Sequence, residues 1–187
     1  MSLSISEPQS GFALFWSKGF RPFFLAATAF AVVSMVCWSW ALFFGLSLQT
    51  GVLSYFQWHA HELLFGYGGA VVAGFLLTAT VNWTGHNTLS GLGLMLLIFV
   101  WLVARVGWLG GSAVLWYAGM ADGAFWLILL AAVARPIIIT KQWRQLGILA
   151  KLLLLFSAHL LFFLDALELV PGAAYGAIYM HYLPSLA

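Results

Sequence analysis

The chain has 187 residues, of which 64% are hydrophobic and only 6% charged, and its net charge is +2. A soluble domain carries roughly 25% charged residues and needs a polar exterior, so a water-soluble fold is excluded and lipid must surround most of the chain. The small, scattered charge excludes a nucleic-acid partner, and the single cysteine, Cys37, excludes both a disulfide framework and a multi-thiolate metal site.

Taken in chain order, five segments offer the roughly 20 apolar residues that a span requires. They lie at about 23–46, 61–81, 89–109, 113–133 and 146–169. The first is too long for a cleaved signal, and Pro22 suits the opening turn of its helix, where no amide donor is needed. After Pro171 and Gly172, the stretch 173–183 reads as the start of a sixth helix that stops too soon to cross. The expected fold is therefore all-α: a polytopic transmembrane helix bundle of five spans and a partial sixth. One domain is expected over 1–187; either its C-terminal end lies along the membrane interface, or the bundle is incomplete there and is completed by a missing half or an oligomer partner.

Charge sets the orientation. Lys18 and Arg21 precede the first span, and Arg135, Lys141 and Arg144 fill the link between the fourth and fifth. Asp165 and Glu168 sit at the opposite end of the fifth, and the link 47–58 has no Lys or Arg. The positive-inside rule then places the N-terminus in the cytoplasm.

An ionisable group in lipid is costly and marks a candidate site. The second span opens with Trp58-His59-Ala60-His61-Glu62, whose His59 and Glu62 share a helical face. His59, His61 and Glu62 are candidate metal ligands, with copper, iron and zinc all suited to imidazole. His159 interrupts the apolar run 152–164 and is either a cofactor ligand or a core histidine bonded to a carbonyl. Asp122 and Arg105 differ in depth by roughly 7 Å, which an arginine spans, and Glu62 is a second partner for Arg105. The bland reading is a structural ion pair; the alternative is a proton route or a cofactor-carboxylate site. His86 is expected to be solvated, His181 falls in the tail, and Gly66, Ala70 and Gly74 form a small-residue face for helix packing. Two imidazoles share a metal only with their nitrogens about 4 Å apart. His59 with His159 does not meet that requirement, His61 with His159 comes nearer, and two separate sites are the easier arrangement.

Several stretches resemble the NnrS family: Ser17-Lys18-Gly19-Phe20-Arg21-Pro22-Phe23-Phe24, the string Trp58 to Gly66, Ala73 to Ala79, Asn82-Trp83-Thr84-Gly85, and Ala134-Arg135-Pro136. The resemblance implies a bacterial inner-membrane protein that contains haem and copper and is linked to denitrification and tolerance of nitric oxide. It implies nitric oxide as a ligand and makes Asn82 and Trp83 further motif residues; His59, His61 and Glu62 at a metal, and His159 and Arg105 toward haem, are candidates chosen on the physical grounds above. Members of that family are longer, which agrees with an incomplete bundle. Two rival readings use the same residues: a small-molecule or metal-ion transporter working through Asp122, Arg105 and the imidazoles, and a scaffold without chemistry.

Overall fold

The computed structural model describes residues 10–45, 53–173 and 176, and every regular element among them is helical. A short helix, α1 (Gly11–Phe15), precedes α2 (Phe20–Phe44). Next, α3 (Tyr55–His61), a π-helical turn (Glu62–Tyr67) and α4 (Gly68–Thr84) run on as one rod of 30 residues. α5 (Leu92–Gly107) and α6 (Ser112–Ile139) follow, and a 3-10 turn (Trp143–Gln145) leads into α7 (Leu146–Ala166).

The boundaries depart from expectation for identifiable reasons. The rod starts at Tyr55 rather than near 61, because Ser54 and Gln57 form a reciprocal capping box that satisfies two orphan donors. α6 continues to Ile139 rather than stopping near 133, carrying Pro136 in its interior. Proline removes one backbone donor, a loss that membrane helices tolerate, and one turn later both the Thr140 amide and its hydroxyl donate to the Pro136 carbonyl, at 3.0 and 2.8 Å. α5 is shorter than expected, since Gly91 turns the chain at φ 55° immediately before it. Among the described residues four helical rods are long and apolar enough to cross a bilayer. The fifth, α5, has 16 residues and reaches only about 24 Å, so the described residues hold four candidate spans and a shorter apolar helix where five spans are expected. The expected partial sixth span at 173–183 lies outside the described residues, apart from Ala173 and Gly176, as do the link 46–52 and His181.

The α3–α4 rod lies at the centre of the bundle and packs on α2 and α6, while α5 and α7 flank α6. Phe23, Phe65, Trp101, Phe125 and Trp126 fill the interior. Outward, large apolar side chains stand bare, with Leu92 84% and Phe43 77% exposed. Patches of this kind are not left facing water; they face lipid. The short links make successive rods antiparallel. One end of the bundle therefore gathers Lys18, Arg21, Arg135, Lys141 and Arg144, and the other carries Asp165 and Glu168.

Small residues on the rod set how closely α2 approaches. A Cβ on Gly74 would lie 2.9 Å from the Phe24 ring and 3.0 Å from Phe23 Cβ. Gly74→Ala is expected to destabilise the bundle by about 1–3 kcal/mol through overpacking. Gly147→Ala, where nothing lies within 4 Å, should be neutral or stabilising by helix propensity. Melting temperatures in one detergent check the contrast.

Candidate metal centre

Five helical segments each deliver a polar side chain to one point in the bundle. His61 ends α3, Glu62 begins the π-helical turn, Arg105 lies in the last turn of α5, Asp122 lies mid-α6 and His159 mid-α7. All five are buried, none more than 4% exposed. The π-helical turn closes with the Gly68 amide donating to the Leu63 carbonyl, a widened arrangement that often accompanies functional sites.

Arg105 joins the two carboxylates. Its Nη1 donates to Glu62 Oε2 at 2.8 Å and its Nη2 to Asp122 Oδ2. The Phe30 and Trp101 rings lie about the guanidinium at 6.0 and 5.9 Å. Room for it comes from Gly66, where a Cβ would sit 2.6 Å from Nη1 and 2.8 Å from Glu62 Oε2. Trp101 Nε1 in turn donates to the Gly66 carbonyl at 3.0 Å, and Trp108 Nε1 to Asp122 Oδ2 at 3.0 Å. A buried charge needs this density of partners, because stripping water from it costs several kcal/mol.

The imidazoles complete the arrangement. His159 Nε2 lies 3.3 Å from the Gly119 carbonyl, which only accepts, so Nε2 carries the hydrogen and Nδ1 presents its lone pair. His61 Nδ1 lies 3.1 Å from Glu62 Oε1. Glu62 is paired with Arg105 and accepts, so His61 Nε2 presents a lone pair too. These two nitrogens face Asp122 Oδ2 at 3.4 and 4.0 Å. Neither nitrogen has a hydrogen-bond partner, and neither does Asp122 Oδ1. One potential ligand atom from each of His61, Asp122 and His159 thus lies within 4.8 Å of the others, with the Arg105 guanidinium and the Trp108 indole on the Oδ2 side of the carboxylate. Buried unsatisfied groups are rare and require a reason; a bound cation supplies one.

The structure therefore brings His61 to His159, their ring centroids 6.0 Å apart, where separate sites seemed easier from depth. The rod begins about a turn and a half earlier than expected, which carries His61 into the core. His59 does not join them. Its ring stacks on Trp38 of α2, with centroids 4.3 Å apart and planes 19° apart. His59 and Glu62 do not act from one face, since the rod is enclosed on several sides and Glu62 turns inward. Asn82 lines a small polar cavity at the basic end of α4, and Trp83 packs half-buried beside it; both lie about 30 Å along the rod from His61. His86 is exposed, its Nδ1 3.0 Å from the Thr84 carbonyl. Sequence reasoning missed the Gly119 carbonyl and the Trp108 indole. Gly119 lies three positions before Asp122, so its helical proximity was legible, but nothing marked its carbonyl as an acceptor.

Fold and site together define a membrane-embedded helical bundle built around an enclosed cluster of two carboxylates, a guanidinium and two imidazoles. The family model described as NnrS protein matches residues 14–186, nearly the whole chain, and the protein belongs to that family. No curated protein and no solved structure matches it.

The residues present fit a metal ion. Two imidazole nitrogens and a carboxylate suit copper or zinc, and bonds of about 2 Å require these atoms to draw together only slightly. Glu62 and the Gly119 carbonyl already occupy the far nitrogens, the usual outer-shell support of a ligating histidine. They do not fit a haem. The His61 ring touches Trp108 with centroids 3.9 Å apart and Phe162 at 4.8 Å, and His159 lies parallel to Phe163, planes 5° apart, so neither imidazole faces a slot for a macrocycle.

Replacing Arg105 leaves two carboxylates unbalanced in the core. Arg105→Met alone is expected to cost about 3–5 kcal/mol, whereas the triple variant Glu62→Gln/Arg105→Met/Asp122→Asn should recover much of that loss. Unfolding followed by tryptophan fluorescence in detergent checks both.

Proposed function

We propose that this protein binds copper in the membrane at His61, His159 and Asp122 and acts there in the cell's handling of nitric oxide. The single observation that carries the reading is the convergence of His61 Nε2 and His159 Nδ1, both without a hydrogen-bond partner, on the Asp122 carboxylate. Copper is chosen over zinc because the resemblance to the NnrS family implies it. His61, His159 and Asp122 would hold the ion, and copper there would supply a one-electron change and affinity for a small ligand such as nitric oxide.

The surrounding residues hold these three ready. Glu62 and the Gly119 carbonyl orient the rings, Arg105 and Trp108 hold the Asp122 carboxylate, and Phe65, Phe162 and Trp108 keep water away. A small apolar gas dissolves in hydrocarbon and reaches such a centre from lipid, with no water-filled channel. The same reading takes the basic end as cytoplasmic and the membrane as the bacterial inner membrane. A transport role for Asp122 and Arg105 is less well supported, because Arg105 holds both carboxylates in a closed network.

Purified protein reconstituted with copper is expected to hold about one ion per chain by elemental analysis, matching one ligand set. His61→Ala, His159→Ala and Asp122→Asn should each reduce it to background, and His59→Ala should leave it intact; retention in the first three sinks the assignment. Glu62→Gln should weaken binding about tenfold, the low end for an outer-shell change, since an amide oxygen still accepts from His61. Any haem the protein retains is expected to keep its Soret band in the His61 and His159 variants, and its loss there would overturn the exclusion of haem from these imidazoles.

A further inference from the structure

At the basic end, a small cavity of about 90 Å³ opens between the start of α2, the end of α4 and the α4–α5 link, lined among others by Lys18, Thr78, Asn82, Asn87 and Thr88. One water needs only about 10–15 Å³ on the same measure, so the space admits a larger polar group. No carboxylate lines it. Three of its residues, Ser17, Asn87 and Ser90, also line an adjoining open groove of about 680 Å³ with Phe12, Trp16, Leu92 and Met95. A polar, cationic pocket thus continues into an apolar trough at the edge of the bundle.

The walls are fixed. The Gly91 amide donates to the Trp16 carbonyl at 2.9 Å, joining α1 to the α4–α5 link. Thr88 Oγ1 donates to the Leu77 carbonyl at 2.6 Å, and Thr78 Oγ1 accepts the Phe20 amide at 3.2 Å. Phe12, 67% exposed, and Leu92, 84% exposed, leave the trough floor uncovered. Among the described residues this end of the bundle carries no Asp or Glu, while Arg21, Arg135, Lys141 and Arg144 belong to the same end.

We propose that the cavity and its groove form a binding site for an anionic phospholipid, with the phosphate beside Lys18, the Asn82 and Asn87 amides as donors, and an acyl chain lying over Phe12, Trp16, Leu92 and Met95. A phosphate diester matches the one cation and neutral donors, and a chain tethered to it matches the trough. A free phosphate shares the first match but not the second. The proposal is independent of the metal centre, which lies at the far half of the rod.

Delipidated protein in a neutral detergent is titrated with phosphatidylglycerol, with phosphatidylcholine of the same chains, and with inorganic phosphate, and bound lipid is counted by native mass spectrometry. One phosphatidylglycerol per chain is expected to bind in preference to phosphatidylcholine. Lys18→Gln should weaken it about fivefold, the effect of one cation near a headgroup. Leu92→Gln should weaken it as well, and Lys141→Gln should not. Equal binding of the two lipids overturns the proposal, as does equal weakening by Lys18→Gln and Lys141→Gln, which indicates a diffuse basic ring. Displacement of the lipid by inorganic phosphate overturns it in favour of a simple anion site. Asn87→Ala provides a second reading on an exposed link residue, and unchanged melting of each variant excludes unfolding as the cause.

Discussion

The organisation of this bundle depends on one requirement: a guanidinium and two carboxylates must be held together where water is excluded. Arg105 meets it by forking between Glu62 and Asp122, which ties α5 to the central rod and to α6 at once. Much of the local sequence serves that fork. Gly66 is small so that Nη1 can approach, Trp101 and Phe30 bracket the planar cation, and Trp108 takes a share of the Asp122 carboxylate. Buried ion pairs contribute little net stability, so stability alone does not account for the cluster. Its geometry is better explained by what it prepares.

What it prepares is a pair of rings with their free electron pairs aimed at one oxygen. Glu62 is central here, because one carboxylate oxygen meets Arg105 and the other meets His61. The ion pair and the imidazole orientation are therefore one unit. On the other side, the Gly119 carbonyl holds His159, and the absence of a side chain at Gly119 lets the Phe163 ring lie against α6 beside it. Aromatic rings then close the cluster.

The fold class was legible because lipid imposes a blunt rule: long apolar runs must be helical. The runs around Phe23, Ala113 and Leu146 announced their helices plainly. Their ends were harder. Polar Trp58-His59-Ala60-His61 looked like a boundary, yet a capping box upstream and burial by neighbouring helices make it helix interior. Pro136 looked like a stop and is not one. In the site, the residue types of Arg105, Asp122, Glu62 and His159 were conspicuous as rare polar groups in hydrocarbon. Their pairing was not, because depth along a straight helix says nothing of which faces meet. His59 and His61 illustrate this: they are two residues apart, and one stacks on an indole of α2 while the other enters the core.

The π-helical turn at Glu62–Tyr67 gives the central rod one residue more than a regular helix would accommodate over the same rise. An α-helix advances about 100° per residue, so an unbroken α-helix of the same sequence would swing everything on one side of the turn by about that angle. His61 would then lose its aim at Asp122 while Gly74 still met α2. The irregularity is thus a phase adjuster: it lets one continuous element present packing glycines and the His61–Glu62 corner on faces that an unbroken helix would set out of step.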